Sequence, residues 1–350
     1  MNFCSCILFL GICRSLDCDA GRTALVNRHL VQDFYKPARD SACIYMKDKG
    51  GDFVWFDGKF VKWEDAKVPV FMHALHYGTA VFEGIRGYAA RNNMYIFRLQ
   101  DHMERLHRSA GVYSISLNHS VKELVQATVE LLQKNKMKDS CYIRPLTFVG
   151  LHGIDLYVTK NSPTHTVIIS FPFAKYFNVE GIKACVSSWR RINDSSTPPL
   201  AKAAGNYLNS VLATQESKTN GYDESILLDM SGNVSEASGE NIFLVRRGKI
   251  YTPYFADSAL EGITRESAIK IARDLGHEVS EQPIPRTELY MADEIFLTGT
   301  AAEIVAVTSV DGHAVGGGEE GPVTKGIREM YAKIVSASSK DYLDWLTPVW

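Results

Sequence analysis

The chain has 350 residues, of which 45% are hydrophobic and 22% are charged. This is ordinary globular composition, and it excludes collagen-like, disordered and disulfide-stapled proteins. With 38 Lys and Arg against 40 Asp and Glu, the formal net charge is −2, so no overall positive field favours nucleic acid or an anionic membrane. We expect neither as a partner, and the length predicts two domains.

The first 40 residues are predicted to form an extension that is weakly ordered or packs on the surface. Their apolar run over 3–13 falls short of the ~20 residues that span a bilayer, and it lacks the basic start of a secretory signal. Four of the seven cysteines lie in this extension and three are scattered beyond it. Scattered cysteines favour a cytoplasmic location, and organellar targeting by residues 1–40 stays open.

The first half of the body is predicted to be a smaller N-terminal α/β domain over 41–171, joined by a connection over 172–181 to the second domain. Residues 53–61 predict two strands around an Asp-Gly turn, because Asp-Gly favours a tight β-hairpin. Apolar residues at helical spacing predict helices, and β-branched or aromatic runs predict strands. The predicted bounds are 101–110 and 122–133 for helices, and 141–149 and 166–171 for strands.

The second half alternates strand and helix patterns, which predicts a larger C-terminal mixed α/β domain over 182–350. Thr264 is the predicted N-cap of a helix over 265–275, and Gly276 is its predicted C′ residue. Asp311-Gly312 predicts a further hairpin. Strands are predicted at 183–188, 225–229, 241–246, 294–298 and 303–308, and helices at 205–218, 265–275 and 324–335.

Lys202 is the only formally charged side chain between residues 195 and 215, and small residues surround it. A lysine in an apolar pocket has a lowered pKa, and its neutral amine can form a Schiff base. The alternative is a lysine at the edge of an amphipathic helix, with its stem on apolar surface and its amine in water.

Two small-residue turns and one carboxylate add to this pattern. Residues 262–264 precede a predicted helix, where exposed N–H groups favour a phosphate. Residues 299–301 form a second small-residue turn after a predicted strand. Glu236 lies in a predicted turn before a strand, where a carboxylate can face a protonated ring nitrogen. Taken alone, each small-residue turn is more often a simple cap, and the segment around Glu236 could equally be a polar turn.

Two other patterns are set aside. Residues 316–321 fit the G-x-G-x-x-G dinucleotide fingerprint, but too few residues follow for a complete βαβ unit with its acidic ribose ligand. The pairs His73 with His76 and His102 with His107 lack a carboxylate or cysteine arrangement that would complete a metal site. We therefore expect no metal.

Together with longer motifs, these features resemble the fold-type IV pyridoxal-phosphate enzymes, and among them the branched-chain amino-acid aminotransferases. The resemblance covers residues 52–345 and implies a two-domain fold with the cofactor between the domains. The motifs that carry it are His73–Tyr88, His102–His107, Tyr142–Pro145, Val186–Trp189, Lys202, Glu236–Phe243, Gly262–Arg265 and Gly299-Thr300.

The resemblance implies reversible amino transfer from L-leucine, L-isoleucine or L-valine to 2-oxoglutarate, giving the branched 2-oxo acid and L-glutamate by ping-pong chemistry. Lys202 would hold pyridoxal phosphate as the internal aldimine and move the proton between Cα and C4′. The other implied cofactor residues are Arg105, Ile263, Thr264 and Thr300 at the phosphate, Tyr207 at the ring O3′, Glu236 at the ring nitrogen, and Gly239.

The resemblance also implies a substrate pocket and a homodimer or higher homo-oligomer with the site near the interface. Arg144 would pair with the distal carboxylate of glutamate, and Thr300 and Ala301 would hold the α-carboxylate. The implied substrate residues are Tyr77, Phe82, Arg86, Tyr142, Arg144, Tyr176, Thr300 and Ala301.

Several alternatives stay open at this stage. A D-amino-acid aminotransferase and an aminodeoxychorismate lyase share the implied fold, and a catalytically inactive relative could act as a binding protein. The sequence does not rank leucine, isoleucine and valine, because one methyl group changes binding by only ~1–3 kcal/mol. It also leaves the direction of flux open, between branched-chain amino-acid biosynthesis and degradation.

Overall fold

The computed structural model describes residues 50–174, 176–177 and 181–350. The predicted extension over 1–40 and part of the predicted connection over 172–181 lie outside these residues. The described residues form one compact unit by their contacts, so the division into two domains stays a prediction. Within the described ranges, no helix is both long enough and apolar enough to cross a membrane.

Strands and helices are interspersed along the described chain, in a mixed α/β arrangement. The strands are β1 Phe53–Phe56, β2 Lys59–Lys62, β3 Ala80–Phe82, β4 Ile85–Ala90, β5 Asn93–Phe97, β6 Cys141–Val149, β7 Thr164–Pro172, β8 Gly181–Arg190, β9 Glu224–Leu228, β10 Val234–Ala237, β11 Asn241–Arg246, β12 Lys249–Thr252, β13 Val279–Glu281, β14 Glu294–Gly299, β15 Glu303–Val310, β16 His313–Ala314 and β17 Leu346–Pro348. The helices are α1 His73–Tyr77, α2 Leu99–Val112, α3 Val121–Lys134, α4 Tyr207–Thr219, α5 Ile263–Asp274 and α6 Pro322–Val335. Short 3₁₀ helices cover Trp63–Asp65, Ala204–Asn206, Phe255–Asp257, Arg286–Tyr290 and Lys340–Trp345.

The two predicted Asp-Gly hairpins are confirmed. Strands β1 and β2 pair in antiparallel register around Asp57-Gly58, whose φ angles are 45° and 85°. Strands β15 and β16 pair around Asp311-Gly312, at 51° and 80°. Two successive positive φ angles define a type I′ turn, whose twist matches that of the flanking strands.

The predicted helix over 265–275 begins earlier than expected. Gly276, with a φ of 87°, follows the C-cap Leu275 as the predicted C′ residue. The prediction of Thr264 as N-cap is wrong, because the N-cap is Gly262. The Gly262 carbonyl already accepts the N–H of Glu266 at 2.9 Å, so the first helical turn closes two residues ahead of Thr264.

The first sheet has eight strands, and all its pairings are antiparallel. Its order is β17-β5-β4-β6-β7-β1-β2, with β3 paired to β6. Helices α2 and α3 share a core with this sheet, and Leu106, Leu131 and Ile143 are fully buried in it. α3 starts with a capping box, in which Ser120 and Glu123 satisfy each other's backbone N–H groups.

The second sheet has nine strands in the order β10-β9-β8-β15-β14-β11-β12-β13, with β16 paired to β15. Its pairings are mixed, since β8 is parallel to both β9 and β15. Neighbouring residues of a strand point to opposite faces, and here both faces are buried. Phe243 packs with α5 and α6 on one face, and Ile242 belongs to a separate core on the other.

Candidate active site

The backbone around Lys202 is held by the first sheet and by α2. The N–H of Phe82 bonds to the carbonyl of Lys202 at 3.0 Å, and the N–H of Lys202 bonds to Oγ of Ser109 at 3.0 Å. The half-buried side chain donates from Nζ to the Tyr207 hydroxyl at 2.5 Å. Nζ also lies 5.2 Å from the ring centre of Phe82. Contacts from β3 and α2, which are distant in sequence, therefore hold Lys202 in place.

Glu236 faces the same space, from β10. The prediction that it lies in a turn is wrong, because residues 234–237 pair with β9 across a bulge between Val234 and Glu236. Its carboxylate is 2.7 Å from Nε of Arg191, and it accepts the N–H of Leu260 at 2.9 Å. Nδ2 of Asn241 donates to it at 3.2 Å. These contacts fix the position of the Glu236 carboxylate.

Two adjoining cavities meet at Lys202. One is lined by Tyr207, Glu236 and Glu240, and the other by Arg105 and the residues at the start of α5. Gly239 lines both. The second cavity brings together the predicted phosphate residues, namely Arg105, Ile263, Thr264 and Thr300.

The second cavity has the donors that a phosphate requires. The first N–H groups of α5 have no partner within the helix, and the positive end of its dipole favours an anion. Gly262 lets the start of α5 lie against the side chain of Asn241, because a Cβ at this position would lie 1.9 Å from Oδ1 of Asn241. The described residues at this site therefore fit a phosphorylated cofactor.

Arg105 belongs to a fully buried cluster that the sequence did not reveal. Its Nε and Nη2 each donate to the Glu83 carboxylate at 2.7 Å, and its Nη1 donates to the Glu261 carbonyl at 2.6 Å. His102 Nδ1 lies 2.7 Å from the same carboxylate. A guanidinium has five N–H donors, so these three bonds leave two for a phosphate.

The electrostatics of this cluster follow from burial and pairing. Burial alone would raise the pKa of Glu83, but the charge and hydrogen bonds of Arg105, together with His102, bring that pKa well below its ordinary value. Burial lowers the pKa of His102, and the opposing effect of Glu83 does not restore it. The cluster therefore holds an ionised Glu83, a charged Arg105 and a neutral His102 at neutral pH.

The predicted substrate residues fall into two groups. Arg144 contacts the ring of Phe82 at 4.7 Å and donates to the Tyr142 hydroxyl at 3.3 Å. These three residues, the pocket wall, contact Lys202 through Phe82, and none of them lines either cavity. Tyr77 does not line either cavity at Lys202, since its half-exposed side chain donates to the Ile154 carbonyl. Tyr176 packs on Phe177.

The remaining predicted substrate residues lie near that wall or in the turn after β14. Arg86 contacts Phe173 at 4.6 Å, and Phe173 in turn packs on Tyr142. Thr300 and Ala301 occupy the turn between β14 and β15.

Three residues that the sequence did not single out are Glu83, Arg191 and Glu303. Glu83 stands inside a motif already noted, directly after Phe82, which is the one local signal for it.

Glu240 is a buried carboxyl without a cation in hydrogen-bond contact among the described residues, and Gly239 N–H donates to it at 3.2 Å. Burial, and then the charge of nearby Glu224, raise its pKa well above the ordinary value. Above that ordinary value, the folded protein binds more protons at Glu240 than the unfolded chain does. The contribution of Glu240 to stability is therefore fully present below the ordinary carboxyl pKa, and it is lost as the pH rises through the folded-state pKa.

We expect Glu240→Gln, which mimics the protonated acid, to be more stable than the wild type at pH 8. The difference should shrink as the pH falls towards 4, where the glutamate is protonated in both states. Melting temperatures measured from pH 4 to 9 check this, with exposed Glu64→Gln as the control. A difference independent of pH would contradict the expectation.

Comparison with known proteins agrees with this geometry. A model of the amino-transferase class IV family matches residues 80–310. A branched-chain-amino-acid aminotransferase of Salmonella typhimurium is 47% identical over 308 residues, which are 87% of this chain and 99% of the relative. The chain therefore belongs to the class IV aminotransferase family, and it is an aminotransferase.

Solved structures show the same fold. The branched-chain aminotransferase of Thermoproteus uzoniensis with norvaline has a TM-score of 0.83 and 48% identity, covering 86% of this chain and 100% of that one. The T.th. branched-chain aminotransferase in complex with N-(5′-phosphopyridoxyl)-L-glutamate has a TM-score of 0.81 and 42% identity, covering 86% and 99%. The predicted mixed α/β, fold-type IV architecture is confirmed.

Proposed function

We propose that the protein is a pyridoxal-phosphate-dependent branched-chain amino-acid aminotransferase. It would transfer the amino group of L-leucine, L-isoleucine or L-valine to 2-oxoglutarate, giving the branched 2-oxo acid and L-glutamate. The observation that carries the proposal is the convergence of Lys202, Glu236 and the Arg105–Thr264–Thr300 anion site on one space. The 47% identity to the Salmonella enzyme supports the substrate class.

Pyridoxal phosphate supplies an electron sink that stabilises negative charge at the substrate Cα. Lys202 would provide the amine that holds the cofactor and that moves the proton at the substrate. The Tyr207 hydroxyl, 2.5 Å from that amine, orients it. Glu236, held by Arg191 and Asn241, provides a fixed negative charge for a protonated ring nitrogen.

The pocket must admit an apolar side chain and a carboxylate in turn. Phe82 and Tyr142 offer apolar ring faces, and Arg144 lies between them with its Nε buried and without a hydrogen-bond partner in the described chain. A buried N–H without a partner is costly, and the distal carboxylate of 2-oxoglutarate would satisfy it. The glutamate moiety bound by the T.th. enzyme supports this assignment.

The test is a pair of half-reactions followed by the visible spectrum of the purified protein. We expect L-leucine alone to bleach the absorption of the bound cofactor, and 2-oxoglutarate to restore it. A protein that ignores L-leucine but responds to D-alanine would be a D-amino-acid aminotransferase. A protein that neither contains nor takes up pyridoxal phosphate would contradict the proposal and favour an inactive relative.

A homo-oligomer of at least two copies is part of the proposal. Helix α1 with the residues just before it, and the loop over 150–157, expose several large apolar side chains. The bond between Tyr77 and Ile154 joins the two segments. An apolar patch of this kind is unusual on a monomer and marks an interaction surface. The exposed side chains are Val70, Phe71, Leu75, Ile154, Leu156 and Tyr157. Light scattering measures the mass in solution, and a monomer would contradict the proposal.

We also propose a cytoplasmic location. Among the described residues, Cys141 and Cys185 are free and buried, and burial raises the pKa of the Cys141 thiol to about 12 and that of Cys185 to about 11. Buried free thiols are typical of proteins in a reducing compartment. Fractionation of the source cells, with residues 1–40 intact, tests the location, and an organellar signal would contradict it.

A further inference from the structure

Glu303 adopts a backbone conformation that glutamate rarely takes. It is the first residue of β15, it pairs with Gly299 across the turn that carries Thr300 and Ala301, and its φ is 59°. The left-handed region is disfavoured for residues with a Cβ and suits glycine or asparagine. A glutamate at such a position suggests that its side chain is required.

Among the two-residue hairpins of the described chain, three place glycine at the last left-handed position, and the hairpin at 91–92 places Asn92 there. The type I′ hairpins at residues 57–58, 247–248 and 311–312 all have glycine second, with φ between 77° and 85°. The turn after β14 has a glutamate at its left-handed position, where a glycine would relieve the backbone. Glycine or asparagine would therefore suit the turn itself better than glutamate does.

The carboxylate of Glu303 lies 3.7 Å from Nη2 of Arg86, which is only 5% exposed. The guanidinium of Arg86 lies over the rings of Phe173, at 4.6 Å, and Tyr88, at 5.1 Å. Its Nη2 also donates a hydrogen bond to the Ala174 carbonyl at 3.0 Å. Nε and Nη1 are buried and have no hydrogen-bond partner among the described residues.

This ion pair joins the two sheets beside the site. Arg86 lies in β4 of the first sheet, and its neighbour Phe173 packs on Tyr142 in the pocket wall. Glu303 lies in the second sheet, at the end of the turn that carries Thr300 and Ala301. A buried arginine without a counter-charge is costly, so the attraction between Arg86 and Glu303 favours a fixed separation between this turn and the wall.

We propose that Glu303 is a positioning residue of the aminotransferase site: its pair with Arg86 fixes the Thr300–Ala301 turn against the pocket wall and thereby sets the affinity for the carboxylate of the substrate. The inference rests on the proposed function, because that function places the substrate carboxylate at this turn.

The decisive variant is Glu303→Gly, which removes the pair and relieves the backbone. For the wild type and this variant, calorimetry measures the Kd of 4-methylpentanoate, a branched carboxylate without an amine, in the cofactor-loaded protein. We expect the Kd, and the KM for L-leucine, to rise about tenfold, as is typical when one partner of a coupled network is lost. We expect kcat to change little, and the melting temperature not to fall.

Two further variants separate positioning from a general effect on the fold. Glu303→Gln keeps the shape and the backbone strain but removes the charge, so it should raise the Kd as Glu303→Gly does. Arg247→Gly relieves another left-handed residue, which is exposed and has a φ of 51°, and it should leave the Kd unchanged.

An unchanged Kd in Glu303→Gly would overturn the inference, and so would weaker binding accompanied by a lower melting temperature. A wild type that binds the carboxylate but whose visible spectrum ignores L-leucine would instead overturn the proposed function. The two failures are therefore distinguishable.

Discussion

Replacing Lys202 by alanine is expected to abolish amino transfer while leaving the protein folded. Proton transfer by a positioned side chain contributes about 10²–10⁴-fold to a rate, and the same amine is the proposed point of covalent attachment. Lys202 is the only lysine that lines either of the two adjoining cavities in the described chain. No other amine in their lining can replace it, so we expect a loss of about 10³-fold or more.

The measurement is kcat/KM with L-leucine and 2-oxoglutarate, together with the visible spectrum. The matched control is Lys270→Ala, an exposed lysine of α5 whose amine pairs with Asp274. This control should keep both its activity and its colour. A Lys202→Ala protein with more than a tenth of the wild-type activity would show that another group moves the proton.

Replacing Glu83 by glutamine is expected to destabilise the fold by about 3–5 kcal/mol, because Arg105 would remain buried without its counter-charge. Glu83 is fully buried and accepts two bonds from the guanidinium. The same substitution should weaken cofactor binding, since Arg105 would no longer be held toward the phosphate site. The free energy of unfolding in urea, measured without cofactor, isolates the effect on stability.

His102→Gln is the control for this experiment. The imidazole of His102 is neutral at neutral pH, so its loss removes a hydrogen bond without exposing a buried charge, at a cost of about 1–3 kcal/mol. If the two variants lost equal stability, the counter-charge of Glu83 would not be the dominant contribution.

The pH dependence of the Glu83 variant has a definite sign. The pKa of Glu83 is lower in the folded state than its ordinary value, so its contribution is present above the ordinary carboxyl pKa. That contribution is lost as the pH falls towards the folded-state pKa. Wild-type stability should therefore decline more steeply in acid than that of Glu83→Gln, and parallel declines would contradict this account.

Local sequence patterns predicted hairpins, helices and a long strand whose residue types favour the observed backbone conformation. The Asp57-Gly58 and Asp311-Gly312 hairpins need two positive φ angles, which these residue types accept. Helices α2 and α3 carry apolar residues at helical spacing, and the predicted ranges lie inside the observed ones. The strand predicted over 141–149 coincides with β6.

Some of the elements that were missed depend on partners distant in the chain. Strand β17 is three residues long and pairs with β5, about 250 positions earlier. Strand β10, which carries Glu236, is four residues long, and it exists because β9 supplies its backbone hydrogen bonds. Strands this short have too little pattern to be recognised, since a period of two needs several residues to be visible.

The sequence by itself determined the family resemblance, the chemical identities of Lys202, Glu236 and the phosphate turns, and the alternation of helices and strands. Only the tertiary structure decided which charges neutralise one another. Arg105 meets Glu83 and Arg191 meets Glu236 across separate elements, and Glu303 reaches Arg86 from the other sheet. The physical reason is that turns and helix caps are satisfied by near neighbours, whereas a buried charge is satisfied only by whichever opposite charge the fold brings to it.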